Sequence, residues 1–311
     1  MNCVLWGVAV GLIVASSAAT HRPPYNTKSV RKEGVINLHL VPHTHDDVGW
    51  LKNPDEYYVG ARNNIQRAGV QSIINSVVHE LGWNPDRKFI YVEQAFFQRF
   101  WDDTDTRTAD LLRQQVASGQ FEFINGGYSM HDEANPSFLD MLDQTTLGHR
   151  LLKQQFNITP KAQWQIDPFG HSAFQASVLS GPSAGYNSLF FMRADWQEIA
   201  MRQNTTTTEM IWAPSPTLKM SGATYAGILY GGYCTVQGLS MDFWSNDQPI
   251  RDSLYLEDNN VALIVNQTVN IVLDALKVVP QGGPGGDGTA DIMLPLGCDF
   301  EWENAGTCAS S

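Results

Sequence analysis

A histidine and an aspartate two residues apart, His45 and Asp47, are the residues whose types and spacing first suggest chemistry. In an extended segment, side chains two positions apart point to the same side, so both can reach one cation. An imidazole combined with carboxylates is a ligand set that suits zinc. His43 shares that face, and we interpret it as a hydrogen-bonded or core histidine beside the ligands. Because this spacing is common in proteins, the prediction of a metal site depends on the surrounding sequence.

Strand-like and helix-like segments alternate from about residue 35 onward. β-prone apolar runs occupy residues 35–41, 89–92, 121–124, 162–166 and 188–192. Helical patterns cover residues 70–81, 95–116 and 137–156, and Ser137 is predicted to cap the last of these helices. Strands separated by helices imply parallel βαβ units, so we predict an α/β protein. After about Trp196 the alternation weakens, and residues 205–208 and 282–288 are predicted to be loops.

Three of the predicted strands run directly into segments that are rich in polar residues or glycine. These segments are residues 43–47, 126–127 and 167–171. In parallel sheets, functional groups collect beyond the carboxyl ends of the strands. The sequence therefore predicts that the three segments meet at one site.

The composition favours one large α/β domain and argues against some partners. The chain has 311 residues, of which 43% are hydrophobic, enough for a substantial core. Its formal net charge is −12. Nucleic acids and anionic membranes attract basic surfaces, so we expect neither as a partner. The sequence carries no signal for an oligomeric state.

The N-terminus has the features of a secretory signal peptide. An apolar run covers residues 4–15, and small residues follow at positions 16–19, where cleavage is expected. The run is too short to span a bilayer and no later segment reaches that length, so we expect no stable membrane association. We therefore predict a signal peptide over residues 1–19, an N-terminal tail over residues 20–34 and entry into the secretory pathway.

Sequons and cysteines are interpreted in the light of that predicted route. Glycans could be attached in the secretory pathway at three asparagines: Asn157, Asn204 and Asn266. Loss of the signal peptide removes Cys3 and leaves three cysteines: Cys234, Cys298 and Cys308. Either one of these thiols stays free or its partner lies in a segment outside this chain.

Several longer motifs resemble those of family 38 glycoside hydrolases, the α-mannosidases, in their lysosomal form. Residues 41–50 (VPHTHDDVGW) are similar to the opening motif of that family. Residues 165–172 (QIDPFGHS) resemble its nucleophile motif, and residues 297–305 (GCDFEWENA) its acid/base motif. Residues 91–97 and 126–134 are also similar to family segments. The resemblance covers residues 35–305 with the motifs in the family's order.

The resemblance implies a fold, a cofactor and a set of site residues. The fold would be the family's catalytic domain over residues 35–305, a seven-stranded parallel sheet or partial barrel of βαβ units. Asp167 would be the nucleophile and, with His45 and Asp47, a ligand of Zn²⁺, while Asp299 would be the acid/base. By the same resemblance Arg193 would lie beside the nucleophile. Aromatic faces that pack on the apolar face of a pyranose would come from Trp50 and Phe169, for which core packing is the alternative.

We interpret Asp132 and Glu133 as structural hydrogen-bonding groups below the site.

The family's zinc has a fourth ligand, a histidine beyond the acid/base, and this chain ends before it. The family's helix bundle and β domains are also absent, and residues 306–311 no longer resemble the family. We therefore expect the strand before Asp299 to be uncovered and frayed, and this chain alone to be a poor enzyme.

Three interpretations of function stay open. The first is an exo-acting α-mannosidase that removes mannose from N-linked glycans, with the lysosome or the extracellular space as its destination. The second is a metal-dependent carbohydrate deacetylase, which would use His45 and Asp47 but would leave Asp299 without a comparable role. The third is a catalytically inactive truncated product.

Overall fold

The computed structural model describes residues 32–180, 184–240, 242, 245, 247–282 and 288–306. The predicted signal peptide over residues 1–19, residues 20–31 of the predicted tail and residues 307–311 lie outside the described part. So do residues 283–287, the centre of the loop predicted over residues 282–288. In the part that is described, no helix is long and apolar enough to cross a lipid bilayer.

Strands and helices alternate through the described residues. The strands are β1 (Ile36–Pro42), β2 (Phe89–Tyr91), β3 (Phe121–Phe123), β4 (Ala162–Gln165), β5 (Ser188–Phe191), β6 (Glu209–Trp212), β7 (Thr224–Ile228) and β8 (Ala290–Leu296). The α-helices are α1 (Pro54–Val59), α2 (Val70–Trp83), α3 (Gln94–Asp103), α4 (Thr106–Ser118), α5 (Phe138–Phe156), α6 (Ala173–Val178), α7 (Trp196–Asn204) and α8 (Val261–Ala275). A short 3₁₀ helix covers Lys219–Gly222.

The strands form three small sheets. β1 pairs with β8, β2 pairs with β3, and a four-stranded sheet has the order β4-β5-β7-β6. All of these pairs are parallel except β6 with β7, which are joined by residues 213–223, a connection shorter than the dozen or so residues of a parallel crossover. The predicted α/β class with parallel strands is confirmed. The seven-stranded sheet or partial barrel stays a prediction, and the antiparallel β6 was not foreseen.

Single main-chain contacts connect neighbouring sheets. His43, just after β1, forms an isolated parallel bridge with Ile90 of β2. Asn125, just after β3, donates its main-chain N–H to the carbonyl of Ala162 at the start of β4 over 2.8 Å. Because the bridge between His43 and Ile90 is parallel, the segments that follow β1 and β2 open on the same side.

The N-terminal half packs around an aromatic core. Rings from β2, β3 and α3 lie in mutual contact and are almost fully buried: Phe89, Tyr91, Phe97, Phe121 and Phe123. The apolar residues of α2 that fall at helical spacing are all buried against this core, as the periodicity predicts: Val70, Ile73, Ile74, Val77, Val78 and Leu81. This rigid half carries the loops that follow β1 and β3.

The prediction of a single helix over residues 95–116 is wrong. The structure has two helices there, α3 and α4, separated by Thr104 and Asp105. The carboxylate of Asp105 accepts a hydrogen bond from the main-chain N–H of Thr108 over 2.9 Å, so it starts a new helix. Capping chemistry therefore overrides a periodicity that continues through both helices. Ser137 caps α5 as predicted, accepting from the N–H of Leu139.

Beyond Trp196 the structure contains elements that the sequence pattern did not predict, namely α7, β6, β7, α8 and β8. α8 lacks a single apolar stripe, since Leu263 and Val269 are exposed whereas Ile264 is buried. β8 contains Pro295, a residue type that argues against a strand interior. The predicted loop over residues 205–208 does lie outside regular elements.

The prediction that the strand before Asp299 frays is wrong. β8 pairs with β1 along its whole length, from Ile36 opposite Ala290 to Pro42 opposite Leu296. After the strand, the ring of Phe300 enters the core, where it is 4% exposed and stacks on Tyr57 with ring centres 4.6 Å apart. The strand before Asp299 was expected to lack a partner because the chain ends soon after it, but β1, the first strand, is that partner.

The substitution Phe300→Ala should destabilise the protein strongly because it removes a buried ring that anchors the segment around Asp299. We expect the free energy of unfolding to fall by about 3–5 kcal/mol, measured by urea denaturation. Phe138→Ala is the matched control, since Phe138 is 56% exposed and its ring lies against that of Phe174 with ring centres 5.5 Å apart. That control should cost less than about 1.5 kcal/mol. Equal losses in the two variants would contradict the packing described for Phe300.

Candidate active site and metal centre

Main-chain pairing continues beyond β1 and β8 and brings two of the sequence motifs together. The N–H of His45 donates to the carbonyl of Cys298 over 3.2 Å, and the N–H of Phe300 donates to the carbonyl of His45 over 3.0 Å. His45 and Asp299 thereby form a parallel bridge. The first motif and the last motif of the chain are therefore neighbours in the fold.

Three candidate metal ligands converge at this edge: His45, Asp47 and Asp167. Their nearest ligand atoms all lie within 4.8 Å of one another. Nε2 of His45 is 3.2 Å from Oδ1 of Asp47 and 3.5 Å from Oδ2 of Asp167. Two atoms bound to one tetrahedral zinc ion at about 2.0–2.2 Å would stand roughly 3.3–3.6 Å apart. The two distances from His45 therefore fit a zinc ion, and the third pair of ligand atoms lies within 4.8 Å.

The burial of His45 supports the same conclusion. Its side chain is 2% exposed, and neither ring nitrogen makes a hydrogen bond of good geometry within the described residues. Burial lowers the pKa of His45, but the carboxylates of Asp167 and Asp47 outweigh burial and hold this pKa well above its usual value. A buried imidazole that faces two carboxylates without a proper donor–acceptor partner is a suitable ligand for a cation.

Asp167 uses its two carboxylate oxygens differently. Oδ2 faces His45, whereas Oδ1 accepts hydrogen bonds from Nε and Nη2 of Arg193 over 2.9 and 2.7 Å. The contact with His45, together with Arg193, lowers the pKa of Asp167 despite partial burial. Asp167 follows β4 and Arg193 follows β5, which are adjacent parallel strands. Asp167 is therefore an ionised and firmly oriented carboxylate.

Tyr233 contacts both Asp167 and Asp299, and it was not among the site residues predicted from the sequence. Its hydroxyl lies 3.2 Å from Oδ1 of Asp167 and 2.9 Å from Oδ1 of Asp299. These two oxygens therefore lie at most about 6 Å apart. The neighbouring Cys234 forms a disulfide with Cys298, which lies beside Asp299. This disulfide answers the question of pairing for two of the cysteines, and Cys308 lies outside the described residues.

Asp299 occupies an environment unlike that of Asp167. Burial raises the pKa of Asp299, and the negative charges of Asp167 and Asp47 add to this effect. Glu301, two residues later, is also largely buried, and burial raises its pKa to about 7. Glu301, however, points to the hydroxyl of Ser240, 3.5 Å away. Asp299 is therefore the protonatable carboxyl group next to Asp167.

Other buried groups lie behind the candidate ligands. The ring of His43 has a pKa lowered by burial to about 4 and contacts the carbonyl of Tyr233 over 2.7 Å, as expected for a histidine beside the site. Burial raises the pKa of Asp46 to about 7 and that of Glu93 well above its usual value. Glu93 lies 3.9 Å from Nδ1 of His45. Sequence reasoning overlooked Asp46 and Glu93 because their burial is not visible in a local pattern.

The two predicted sugar-binding aromatics are exposed. Trp50 is 62% exposed and Phe169 is 72% exposed, so neither ring is a core residue. Phe169 lines a cavity of about 590 Å³ together with Arg193 and His171. A larger cavity of about 1240 Å³ lies among α2, α3 and α4 and contains none of the candidate ligands. Both rings are therefore open to solvent, and Phe169 shares its cavity with Arg193.

The two carboxylates predicted to form structural hydrogen bonds, Asp132 and Glu133, both accept hydrogen bonds. The carboxylate of Glu133 accepts hydrogen bonds from the loop after Asp167, whereas Asp132 accepts from the main-chain N–H of Ala134. The asparagines of the three sequons are all exposed, at the end of α5, at the end of α7 and within α8: Asn157, Asn204 and Asn266. Their positions permit glycosylation, which stays a prediction.

Replacement of any candidate ligand should weaken zinc binding. We expect His45→Ala, Asp47→Ala and Asp167→Asn each to weaken it by more than the roughly 10–100-fold typical for loss of a partner outside the ligand shell. Competition with a chromophoric chelator at fixed pH measures the affinity. Asp299→Asn is the control and should change the affinity less than about tenfold. Zinc affinities that do not separate the three ligand variants from this control would count against the site.

Comparisons with known proteins place the chain in a family. Residues 35–308 match the glycosyl hydrolases family 38 N-terminal domain. The chain is 42% identical over 305 residues to an alpha-mannosidase of Arabidopsis thaliana, covering 98% of this chain and 29% of that protein. It is 39% identical over 286 residues to lysosomal alpha-mannosidase of Bos taurus, covering 91% of this chain and 28% of that protein.

A solved structure shows the same fold at low sequence identity. An alpha-mannosidase from Enterococcus faecalis V583 superposes with a TM-score of 0.61 at 14% identity, covering 89% of this chain and 26% of that one. The chain thus spans a little over a quarter of the length of the relatives it matches. On the match over residues 35–308, the chain belongs to glycosyl hydrolase family 38, of which it contains the N-terminal domain.

Proposed function

We propose that this chain carries the catalytic domain of a zinc-dependent, retaining exo-α-mannosidase that removes terminal α-mannose from N-linked glycans. The observation that supports this most directly is the position of Asp167. One of its oxygens faces the candidate zinc ligand His45, and the other shares the hydroxyl of Tyr233 with Asp299. The relatives are named alpha-mannosidases, and these names support mannose as the sugar that is removed.

The separation of the two carboxylates favours retention of configuration. Retaining glycosidases place the two carboxyl groups about 5–5.5 Å apart, whereas inverting ones leave about 6.5–9.5 Å for a water molecule. Because both Oδ1 atoms contact one hydroxyl, these two oxygens lie at most about 6 Å apart, and this supports the shorter, retaining separation. Direct attack of Asp167 on the sugar carbon is the step that such a separation favours.

The environments of the two carboxylates fit different roles in such a reaction. Asp167, kept ionised by Arg193 and His45, attacks the anomeric carbon and forms a covalent glycosyl ester. Asp299, whose pKa is raised by burial, donates a proton to the leaving oxygen as the glycosidic bond breaks. In the second half, Asp299 accepts a proton from water, the water oxygen attacks the same carbon, and Asp167 leaves.

The candidate ligands, one imidazole and two carboxylates, form a donor set that suits zinc. The residues that would hold it are His45, Asp47 and Asp167, and when bound it would supply a Lewis acid for sugar hydroxyl oxygens. The orientation of Asp167 toward both His45 and Arg193 fixes the carboxylate whether it acts as a ligand or as the nucleophile. The exposed ring of Phe169 lies two residues after this carboxylate in the sequence and can pack on the apolar face of the pyranose.

A metal-dependent carbohydrate deacetylase is the alternative enzymatic function. It would use His45 and Asp47 to activate water, but it assigns no role to Asp299. The hydrogen bond from Tyr233 to Asp299 and the raised pKa of Asp299 therefore favour the glycosidase. A relative with the printed name lysosomal alpha-mannosidase and the three exposed sequons support the lysosome, reached through the secretory pathway, as the destination.

Covalent labelling tests the proposal and separates it from the alternative. We expect a fluorinated α-mannosyl fluoride, whose glycosyl ester hydrolyses slowly, to add one sugar to Asp167 in the zinc-loaded chain. Peptide mass spectrometry locates the adduct, and one turnover suffices for detection. Asp167→Asn should give no adduct, and the corresponding β-glucosyl reagent is the control for sugar specificity. Labelling elsewhere, or release of acetate from an N-acetylated glycan without labelling, would overturn the proposal.

The role of Asp299 is tested by the leaving group. With Asp299→Asn, we expect the rate on natural mannosides to fall by about 10²–10⁴-fold, whereas aryl mannosides with acidic leaving groups should react much closer to the wild-type rate. The activity of the wild type on natural mannosides should also fall as pH rises through the raised pKa of Asp299, because the acid form is then lost. Steady-state kinetics on both substrates across pH measure this difference. Equal losses on both substrates would exclude Asp299 as the acid.

A further inference from the structure

His171 lies four residues after Asp167, and both of its ring nitrogens face hydrogen-bond acceptors. Nδ1 lies 3.1 Å from Oε1 of Glu133, and Nε2 lies 2.8 Å from the main-chain carbonyl of Arg193. A neutral imidazole has one N–H and one lone pair, so it can satisfy only one of two acceptors. The protonated ring has two N–H groups and satisfies both. The arrangement around His171 therefore selects the imidazolium form.

The burial of Glu133 points in the same direction. Its side chain is 0% exposed, and its other oxygen accepts a hydrogen bond from the main-chain N–H of Ser172 over 2.7 Å. An isolated carboxylate in such a place is costly unless a positive group pairs with it. His171, whose side chain is 13% exposed, is the cationic partner within reach. The pair joins the segment after β3 to the loop that carries Asp167.

We propose that protonated His171 is a positioning residue for Asp167, which it serves by clamping the main chain of Arg193 to the buried carboxylate of Glu133. Arg193 lies between β5 and α7, outside any regular element. Its guanidinium orients Oδ1 of Asp167 while its carbonyl is held by His171. The chain of contacts runs from Glu133 through His171 and Arg193 to Asp167. The catalytic consequence rests on the proposed function, whereas the ionic clamp itself does not.

The charged groups around the ring favour this protonation state. Burial lowers the pKa of His171, but the hydrogen bond and the charge of Glu133 outweigh burial and raise this pKa above its usual value, with help from the carbonyl of Arg193. The guanidinium of Arg193 is turned toward Asp167, and Asp195 lines the same small cavity. From β5 the ring of Phe191 packs on His171 with ring centres 4.7 Å apart.

The sign of the pH dependence follows from the raised pKa. The stabilisation by the clamp is fully present below the pKa of an unfolded histidine, about 6.5, and is lost as pH rises through the higher pKa of the folded state. The clamp is therefore closed in an acidic compartment and opens in alkaline solution. Asp167 would then be held most firmly under acidic conditions, although Asp167 and Asp299 themselves are unchanged.

The clamp is tested first without any assay of catalysis. We expect the ring resonances of His171, assigned by comparison with His171→Gln, to titrate above the range of an ordinary histidine in NMR spectra. In a double-mutant cycle of His171→Gln and Glu133→Gln, the coupling measured by urea denaturation should be largest at pH 5 and should weaken as pH rises through the raised pKa of His171, because the neutral imidazole keeps at most one of the two hydrogen bonds. His149→Gln is the matched control. Burial lowers the pKa of His149, so the stability that its imidazole contributes relative to glutamine should shrink, not grow, as pH falls.

The effect on Asp167 is tested by the rate of covalent labelling with the fluorinated mannosyl fluoride. Comparing wild type with His171→Gln at each pH cancels the titration of groups that both proteins share. We expect the wild type to label about 10–100-fold faster at pH 5 and the two rates to converge near pH 9.

The two proposals fail in different ways. Absence of an adduct in the wild type would overturn the proposed function, while the ring titration and the double-mutant cycle would still decide on the clamp. A neutral His171 at pH 5, or a coupling with Glu133 that does not change with pH, would overturn the clamp. A raised titration combined with a rate ratio that is the same at pH 5 and pH 9 would show a structural role only and would overturn the positioning role.

Discussion

The structure depends on a single carboxylate, that of Asp167, which is shared between two sets of partners. One oxygen faces the imidazole of His45, and the other accepts from Arg193 and from the hydroxyl of Tyr233. A carboxylate held from both sides cannot rotate, and its negative charge is stabilised before any substrate arrives. The candidate metal site and the candidate nucleophile are therefore one group, and each neighbouring element serves to place its partners.

Placing those partners requires contacts between the two ends of the chain. β1 and β8 pair in parallel although some 250 residues separate them, and the pairing continues until His45 and Asp299 are bridged. The disulfide between Cys234 and Cys298 then ties Tyr233 to the same edge. Long loops are expensive to close during folding, so the apolar burial of Phe300 and the ladder of hydrogen bonds must offset that entropy. The geometry of the candidate site and the stability of the β1–β8 pair are consequently linked.

Burial divides the ionisable groups at this edge into two kinds. Contacts with positive groups lower the pKa of Asp167, whereas removal from water raises the pKa of Asp299 only a few ångströms away. Opposite shifts in neighbouring carboxyl groups separate a nucleophile from a proton donor without a change of residue type. Glu133 and His171 form a further contact between a carboxylate and an imidazole in the loop that carries Asp167.

The sequence by itself determined the local features. The spacing of His45 and Asp47 predicted that they share a side, the apolar periodicity predicted α2, and Ser137 predicted the start of α5. Longer motifs singled out Asp167, Asp299 and Arg193. Only the tertiary structure decided which distant groups touch: Tyr233 between the carboxylates, Glu93 behind His45, Glu133 against His171, and β8 beside β1. The physical reason is that spacing and periodicity are properties of neighbours in the chain. Burial and hydrogen-bond partners, which set the charge of each group, arise only when remote segments pack together.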